Sequence, residues 1–192
     1  MAPEERRARL IEAAAALLSG AEGGRLNAVN LNKALFYLDL ASLRDFGHPF
    51  SYATFLALHQ GPVVAKYKTR LIQALADEDI AVQEQEADSK PIRLKNVPAS
   101  FHYIAAGTLA LAERIGKWFS EKTSSSASDF SHQNPGWKLA YDDGLGVGKQ
   151  PTRINPFIAM QQILDDDPWL HADHRLDRAA IEAADRSEGV PW

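Results

Sequence analysis

Asn27-Ala-Val-Asn-Leu-Asn-Lys-Ala-Leu-Phe-Tyr-Leu-Asp-Leu-Ala-Ser-Leu-Arg-Asp-Phe46, followed by Gly47-His48-Pro49, is the stretch on which the reading of this chain turns. Asn27 supplies a side-chain oxygen suited to capping a helix N-terminus. The apolar residues then fall on two helical stripes, Leu31, Leu35 and Leu38 on one and Phe36, Leu40 and Leu43 on another. A helix apolar over most of its circumference belongs in the middle of a fold rather than on its surface. Gly47 tolerates the left-handed backbone that ends a helix, and Pro49 cannot continue one.

Upstream, Glu4 to Leu18 places Leu10, Ile11, Ala14, Leu17 and Leu18 at helical spacing, and Gly20 with Gly23-Gly24 closes that first helix. Downstream, Phe50 to His59 is open between a strand, favoured by its aromatic and Thr content, and a short helical piece, favoured by Ala and Leu. Proline at a first helical position forfeits only an amide with no partner there. Gly61-Pro62 is therefore expected to start a third helix, marked by Val63, Tyr67, Leu71, Ala74 and Leu75 and ending near Asp79. Ile80 to Val97 alternates weakly around a polar middle and predicts a hairpin with a long tip. A helix is expected over Ala99 to Lys122, with Ile104, Leu111, Ile115, Trp118 and Phe119 inward, then a short one starting among the serines of 124–128. Asn134-Pro135-Gly136 reads as a turn before a helix at Trp137, and Asn155-Pro156 as the cap of a last helix through Leu164. The fold class expected is mainly α with a small antiparallel β element (α+β), a compact helical domain that is winged-helix-like in the order of its elements.

The chain has 192 residues, a length suited to one domain, with 45% hydrophobic and 24% charged residues, which is ordinary globular composition. It has no cysteine, so disulfides, thiolate catalysis and sulfur-ligated metals are excluded. No apolar run approaches the ~18 residues of a membrane span, and the charged N-terminus lacks a signal core, so a cytoplasmic location is expected, with no membrane partner. Net charge is −4, but Asp165–Trp192 holds eight acids against three arginines, −5, which leaves Met1–Leu164 at +1. The expected organisation is a domain over 1–164 and an acidic tail over 165–192.

Few constellations point to chemistry. Gly144-Leu-Gly-Val-Gly148 lacks the preceding strand and the Gly-Lys-Ser/Thr ending of a phosphate loop and reads as a plain loop. His171, Asp173 and His174 could share a helical face as metal ligands, but a site needs a further ligand held by the fold, and none is evident. There is no Gly-x-Ser-x-Gly elbow, and Ser131-His132 are mere sequence neighbours. The expectation is a non-enzyme with no catalytic residue, no cofactor and no metal. Lys66, Lys68 and Arg70 on the third helix could meet phosphates, but Asp77, Glu78 and Asp79 follow, so a winged-helix-like DNA-binding regulator is the alternative function rather than the first.

Leu31-Asn32-Lys33-Ala34-Leu35-Phe36-Tyr37, Leu58-His59-Gln60-Gly61-Pro62-Val63, and Ser131-His132 followed by Pro135-Gly136-Trp137 together resemble the Panacea domain, the SocA-like antitoxin domain also found in phage-associated proteins. Order and spacing agree over roughly residues 26–140. Gln60 stands where the family has an aromatic residue, and Ala34 where it has a larger apolar one. The resemblance implies an antitoxin that neutralises, by direct protein–protein contact, a toxin encoded in the adjacent gene, with delivery to an ATP-dependent protease as a second mechanism. Lys33, Tyr37, Gly61, Pro62, His132 and Trp137 are the motif residues it offers as partner-binding candidates.

The residues also have a physical reading of their own. The Lys33 stem can pack along its helix while the ammonium reaches a carboxylate or a carbonyl. Gly61-Pro62 would set the angle of the third helix, and Trp137 supplies a large apolar face with one donor.

Overall fold

The computed structural model describes residues 1–85, 90–144, 151–164 and 167–170. It is mainly α with a small antiparallel β component, as the sequence leads one to expect. The helix at its centre is α2 (Ala28–Phe46). The Asn27 side chain accepts from the Asn30 N–H at 2.8 Å, and Gly47 ends the helix at φ 78° with its N–H on the Leu43 carbonyl. Every residue from Asn30 to Leu43 is buried, so the helix is enclosed on all sides. Each of its large apolar side chains gains about 1.5–3 kcal/mol by this burial.

α1 (Pro3–Gly20) begins with proline in its first turn beside Glu4 and Glu5, where proline and acids both suit a helix start. Its Ala13–Leu18 run is fully buried. That face packs on α4 (Ala106–Ser120) at very short range: a Cβ on Gly116 would strike the Leu17 carbonyl, and one on Gly20 the backbone of Glu113. Glycine is required at both positions because the two backbones touch. α4 starts later than the expected Ala99, and the reason lies on α1. The buried Glu12 carboxylate accepts from the backbone N–H groups of His102, Tyr103 and Ile104 at 2.7, 2.8 and 3.2 Å, holding that segment out of the helix.

Two small antiparallel sheets flank the helices. β1 (Arg25–Asn27), β4 (Ala81–Gln83) and β5 (Pro91–Leu94) form one, in the order β1-β5-β4, with Leu26 opposite Ile92. The expected hairpin is therefore present, joined by a strand that three residues could not announce in the sequence. β2 (Phe55–Leu58) and β3 (Gly61–Val64) form the other. This settles Phe50–His59 as containing a strand and corrects the reading of Pro62. Pro62 does not open a helix; it lies in β3 opposite Ala57, in a two-stranded sheet where an edge position tolerates the missing N–H. The third helix starts later, as a π-helical turn Lys68–Gln73 running into α3 (Ala74–Asp77). Gly61-Pro62 thus fixes a hairpin rather than a helix angle.

The C-terminal half adds α5 (Ser124–His132), capped by the Thr123 hydroxyl on the Ser126 N–H, and α6 (Pro135–Gly144). α6 corrects the expected turn at Asn134-Pro135-Gly136. Asn134 is its cap, accepting from the Trp137 N–H at 3.1 Å, and Pro135 occupies the first helical position. α7 (Pro156–Ala159), capped by Asn155 as expected, continues as a 3-10 turn Met160–Ile163. Residues 152–154 lie along β2, with the Ala57 N–H on the Thr152 carbonyl and the Ile154 N–H on the Phe55 carbonyl.

The packed body does not stop at Leu164. Trp169 is fully buried against Tyr37 and Trp118, and Asp167 is paired with Arg44 at 2.6 Å. Most of the acidic segment, the glycine cluster at 145–148 and the His171/His174 pair lie outside the described residues. Among the described residues no helix is long and apolar enough to cross a membrane.

Candidate functional site

The three sequence motifs meet where α2 faces the β2–β3 hairpin and the start of α6. Lys33 is 1% exposed, and its ammonium donates to the Gln60 carbonyl at the hairpin turn. The same carbonyl accepts from the Ser128 hydroxyl of α5 at 3.1 Å. Among the described residues Lys33 has no carboxylate partner, and burial alone pushes its pKa from 10.5 down to about 8. Gly61 follows at φ 103°, a conformation that side chains rarely adopt. A Cβ there would collide with the Ser131 hydroxyl and press on the Lys33 side chain at 3.1 Å. Gly61 is thus needed because α2 and α5 both reach into the turn.

Asn32, beside Lys33, grips the other end of the same strand. It is 3% exposed, accepts from the Val64 N–H at 2.9 Å and donates to the Ala28 carbonyl at 2.8 Å. Two consecutive residues of α2 therefore hold β3 at both ends. Pro62 is buried between them.

Trp137 is 7% exposed and donates its indole N–H to the Leu58 carbonyl at 3.1 Å, tying α6 to β2. Its ring lies between His132, at 4.3 Å between centroids, and Tyr141, at 4.5 Å, all nearly parallel. The Tyr141 hydroxyl and His59 Nδ1 are 3.1 Å apart, which brings the hairpin turn onto this stack. His132 Nε2 is buried without a hydrogen-bond partner. Burial lowers the imidazole's pKa, the His59 backbone opposes that shift, and the nearby Lys33 charge adds to it.

Tyr37 points to the other side of α2. Fully buried, it packs against Phe36, Phe119, Phe130 and Trp169, and its hydroxyl donates to Gln162 Oε1 at 2.7 Å. Burial raises its pKa. Gln162 Oε1 also accepts from Asn134 Nδ2 at 2.8 Å, and Gln162 Nε2 donates to the Phe130 carbonyl at 3.0 Å. Asn134, fully buried, donates further to the Ala159 carbonyl. Tyr37, Asn134 and Gln162 form one polar network that joins α2, α6 and the turn after α7.

The structure accordingly brings Lys33, Gly61, Pro62, His132 and Trp137 into one cluster and places Tyr37 in a second network behind it. Asn32, Asn134, Gln162, Ser128 and Tyr141 belong to these networks and were not singled out in the sequence. Asn134 stood in a stretch read as a turn, although Asn-Pro is also the pattern of a capped helix start, and Asn32 showed only as the polar neighbour of Lys33 inside an apolar helix. Gln162, 125 residues from Tyr37, left no local signal.

Chemically, the cluster is a set of buried donors saturating backbone carbonyls. Its exposed rim consists of His59 and Gln60. No group of three or more metal-ligating side chains occurs among the described residues.

The model of one protein family, described as antitoxin SocA-like, Panacea domain, matches residues 31–138, more than half of the chain and all three motifs. No curated protein and no solved structure was found to match the chain. With its motifs assembled at one junction and the family's model matched across them, the chain belongs to the antitoxin SocA-like, Panacea domain family.

Proposed function

We propose that the protein neutralises a toxin encoded in the adjacent gene by binding it directly in the cytoplasm, without catalysis, through surface outside the motif cluster. The observation that carries this reading is the exposure of Phe157 and Leu164, at 65% and 50%, one inside and one just past the last helical segment, Pro156–Ile163. Several large apolar side chains left in water in one region mark contact surface more than a single exposed residue does. Phe46, 53% exposed, stands two residues beyond Arg44, which donates to the Ile163 carbonyl at 2.9 Å, so the end of α2 adjoins the same region. The motif residues, by contrast, are spent on internal packing and hydrogen bonds, which supports reading them as the frame that presents this surface.

Co-expression with the adjacent gene tests the proposal by scoring toxicity, rescue and co-purification. Phe157→Asp with Leu164→Asp is expected to abolish rescue and co-purification while leaving the fold intact by circular dichroism. A harmless neighbour, or full rescue by the folded double variant, refutes it. Toxin half-life separates blocking from delivery to an ATP-dependent protease, since a blocker leaves the half-life unchanged. Deleting Asp165–Trp192 tests whether acidic residues add to recognition of a basic toxin; unchanged neutralisation excludes that contribution.

A further inference from the structure

On the far side of β3 from Lys33, a cleft of about 560 Å³ opens between the first turns of α1, the loop 51–54, the end of β3 and the Lys68–Gln73 turn. Its size is that of small-molecule sites, which span about 300–1,000 Å³. Its lining holds Arg6, Arg7 and Arg70 and not one acidic residue. Arg7 is engaged, 2.6 Å from Glu78 and 4.0 Å from Asp77. Arg6 and Arg70, contributed by different elements, have no acidic partner among the described residues. Two guanidinium groups on the lining of one concavity, with no acidic partner among the described residues, favour an anion, and their planar forks suit phosphate or carboxylate oxygens.

The rest of the cleft is apolar apart from the hydroxyl residues Ser51, Thr54 and Thr69, with Tyr52 as its aromatic. Leu10 and Val64 form buried parts of its wall, and Tyr52, 36% exposed, stands at its rim. Tyr52 has φ 52°, and Lys66, next to the lining residue Ala65, has φ 58°. These are two of the three left-handed residues other than glycine among the described residues. Such strain persists only where surrounding structure imposes it, and it gathers at ligand sites. Here the imposing group is Asp39, fully enclosed in α2, whose carboxylate accepts from the Ser51 N–H at 2.6 Å and the Ser51 hydroxyl at 2.7 Å. The Ser51 oxygen in turn accepts from the Ala53 N–H at 3.1 Å, so both neighbours of Tyr52 are fixed before any ligand arrives.

We infer that this cleft binds a small organic phosphate bearing a flat ring, of the nucleotide class, with Arg6 and Arg70 on the phosphate and Tyr52 against the ring. Its lining includes neither Phe157 nor Leu164, and the inference does not depend on the toxin-binding proposal.

The test uses the full chain and three probes in calorimetric titration: adenosine 5′-monophosphate, inorganic phosphate and adenosine. The nucleotide is expected to bind with a Kd below about 1 mM, more tightly than either part alone, and to weaken as salt rises. Arg6→Ala with Arg70→Ala should raise the nucleotide Kd at least tenfold with an unchanged melting temperature. Tyr52→Ala should weaken the nucleotide and leave phosphate unaffected. No binding at that concentration, equal affinity for nucleotide and phosphate, or a wild-type affinity indifferent to salt overturns the inference, and the salt measurement needs no variant to fold.

Discussion

Replacing Lys33 with methionine keeps the volume of the side chain and removes the ammonium, and the outcome should depend on pH in a calculable way. Burial takes the Lys33 pKa from 10.5 to about 8, a difference equivalent to about 3.4 kcal/mol in favour of the neutral amine in the folded state. Below pH 8 both folded and unfolded chains carry the proton, and the folded chain bears the full cost of the enclosed charge. Between 8 and 10.5 the folded chain releases the proton while the unfolded chain retains it, so wild-type stability rises with pH. Lys33→Met removes that rise. It also removes a charged hydrogen bond to the Gln60 carbonyl, worth about 1.5–3 kcal/mol, although Ser128 still serves that oxygen.

At neutral pH the two effects of the substitution nearly cancel, so wild type and variant should differ by less than about 2 kcal/mol. By pH 10.5 the wild type should have gained about 3 kcal/mol on the variant. Urea unfolding of both proteins, followed by tryptophan fluorescence across this range, measures the difference directly. Tyr37, whose pKa burial raises, also contributes to stability at high pH, but it is present in both proteins and drops out. A difference that stays flat with pH would refute the reasoning, because it would mean that the folded protein solvates the ammonium.

Asp39 should show the opposite slope. Burial raises its carboxyl from 3.8 to about 6, so the folded state holds a proton the unfolded state has lost, and stability falls by about 2 kcal/mol as pH rises from 4 to 6. Asp39→Asn should abolish that fall, read from unfolding midpoints over the same interval; an identical slope in the variant contradicts it. Trp169→Ala, which empties a fully buried site against Tyr37 and Trp118, should cost about 3–5 kcal/mol. A shift below about 1 kcal/mol in chemical denaturation would show that this segment adds nothing to the core.

The central helix was legible because cap, stripes and terminating glycine all agree over Asn27–Gly47. Pro62 misled for a definable reason. Proline suits both a first helical position and an edge strand, and the choice was made by Asn32 and Lys33 reaching from α2 to both ends of β3. The same holds for residues 99–105, whose apolar spacing suits a helix but whose amides are claimed by Glu12, about ninety positions earlier. Within the site, the motif residues could be named from sequence. Their joint purpose, the saturation of the Gln60 and Leu58 carbonyls, could not, since it exists only once three distant segments meet.

The contact between α1 and α4 also imposes an order of events on synthesis. The Ala13–Leu18 face has no lodging until Gly116 has left the ribosome, and the Glu12 carboxylate has no amides to bind until residue 104 has done so. At about 5–20 residues per second, the first helix stays uncovered for several seconds on every chain made. A chain cut short before α4 keeps that apolar face exposed for good, and would be a substrate for quality-control proteolysis rather than a partial inhibitor.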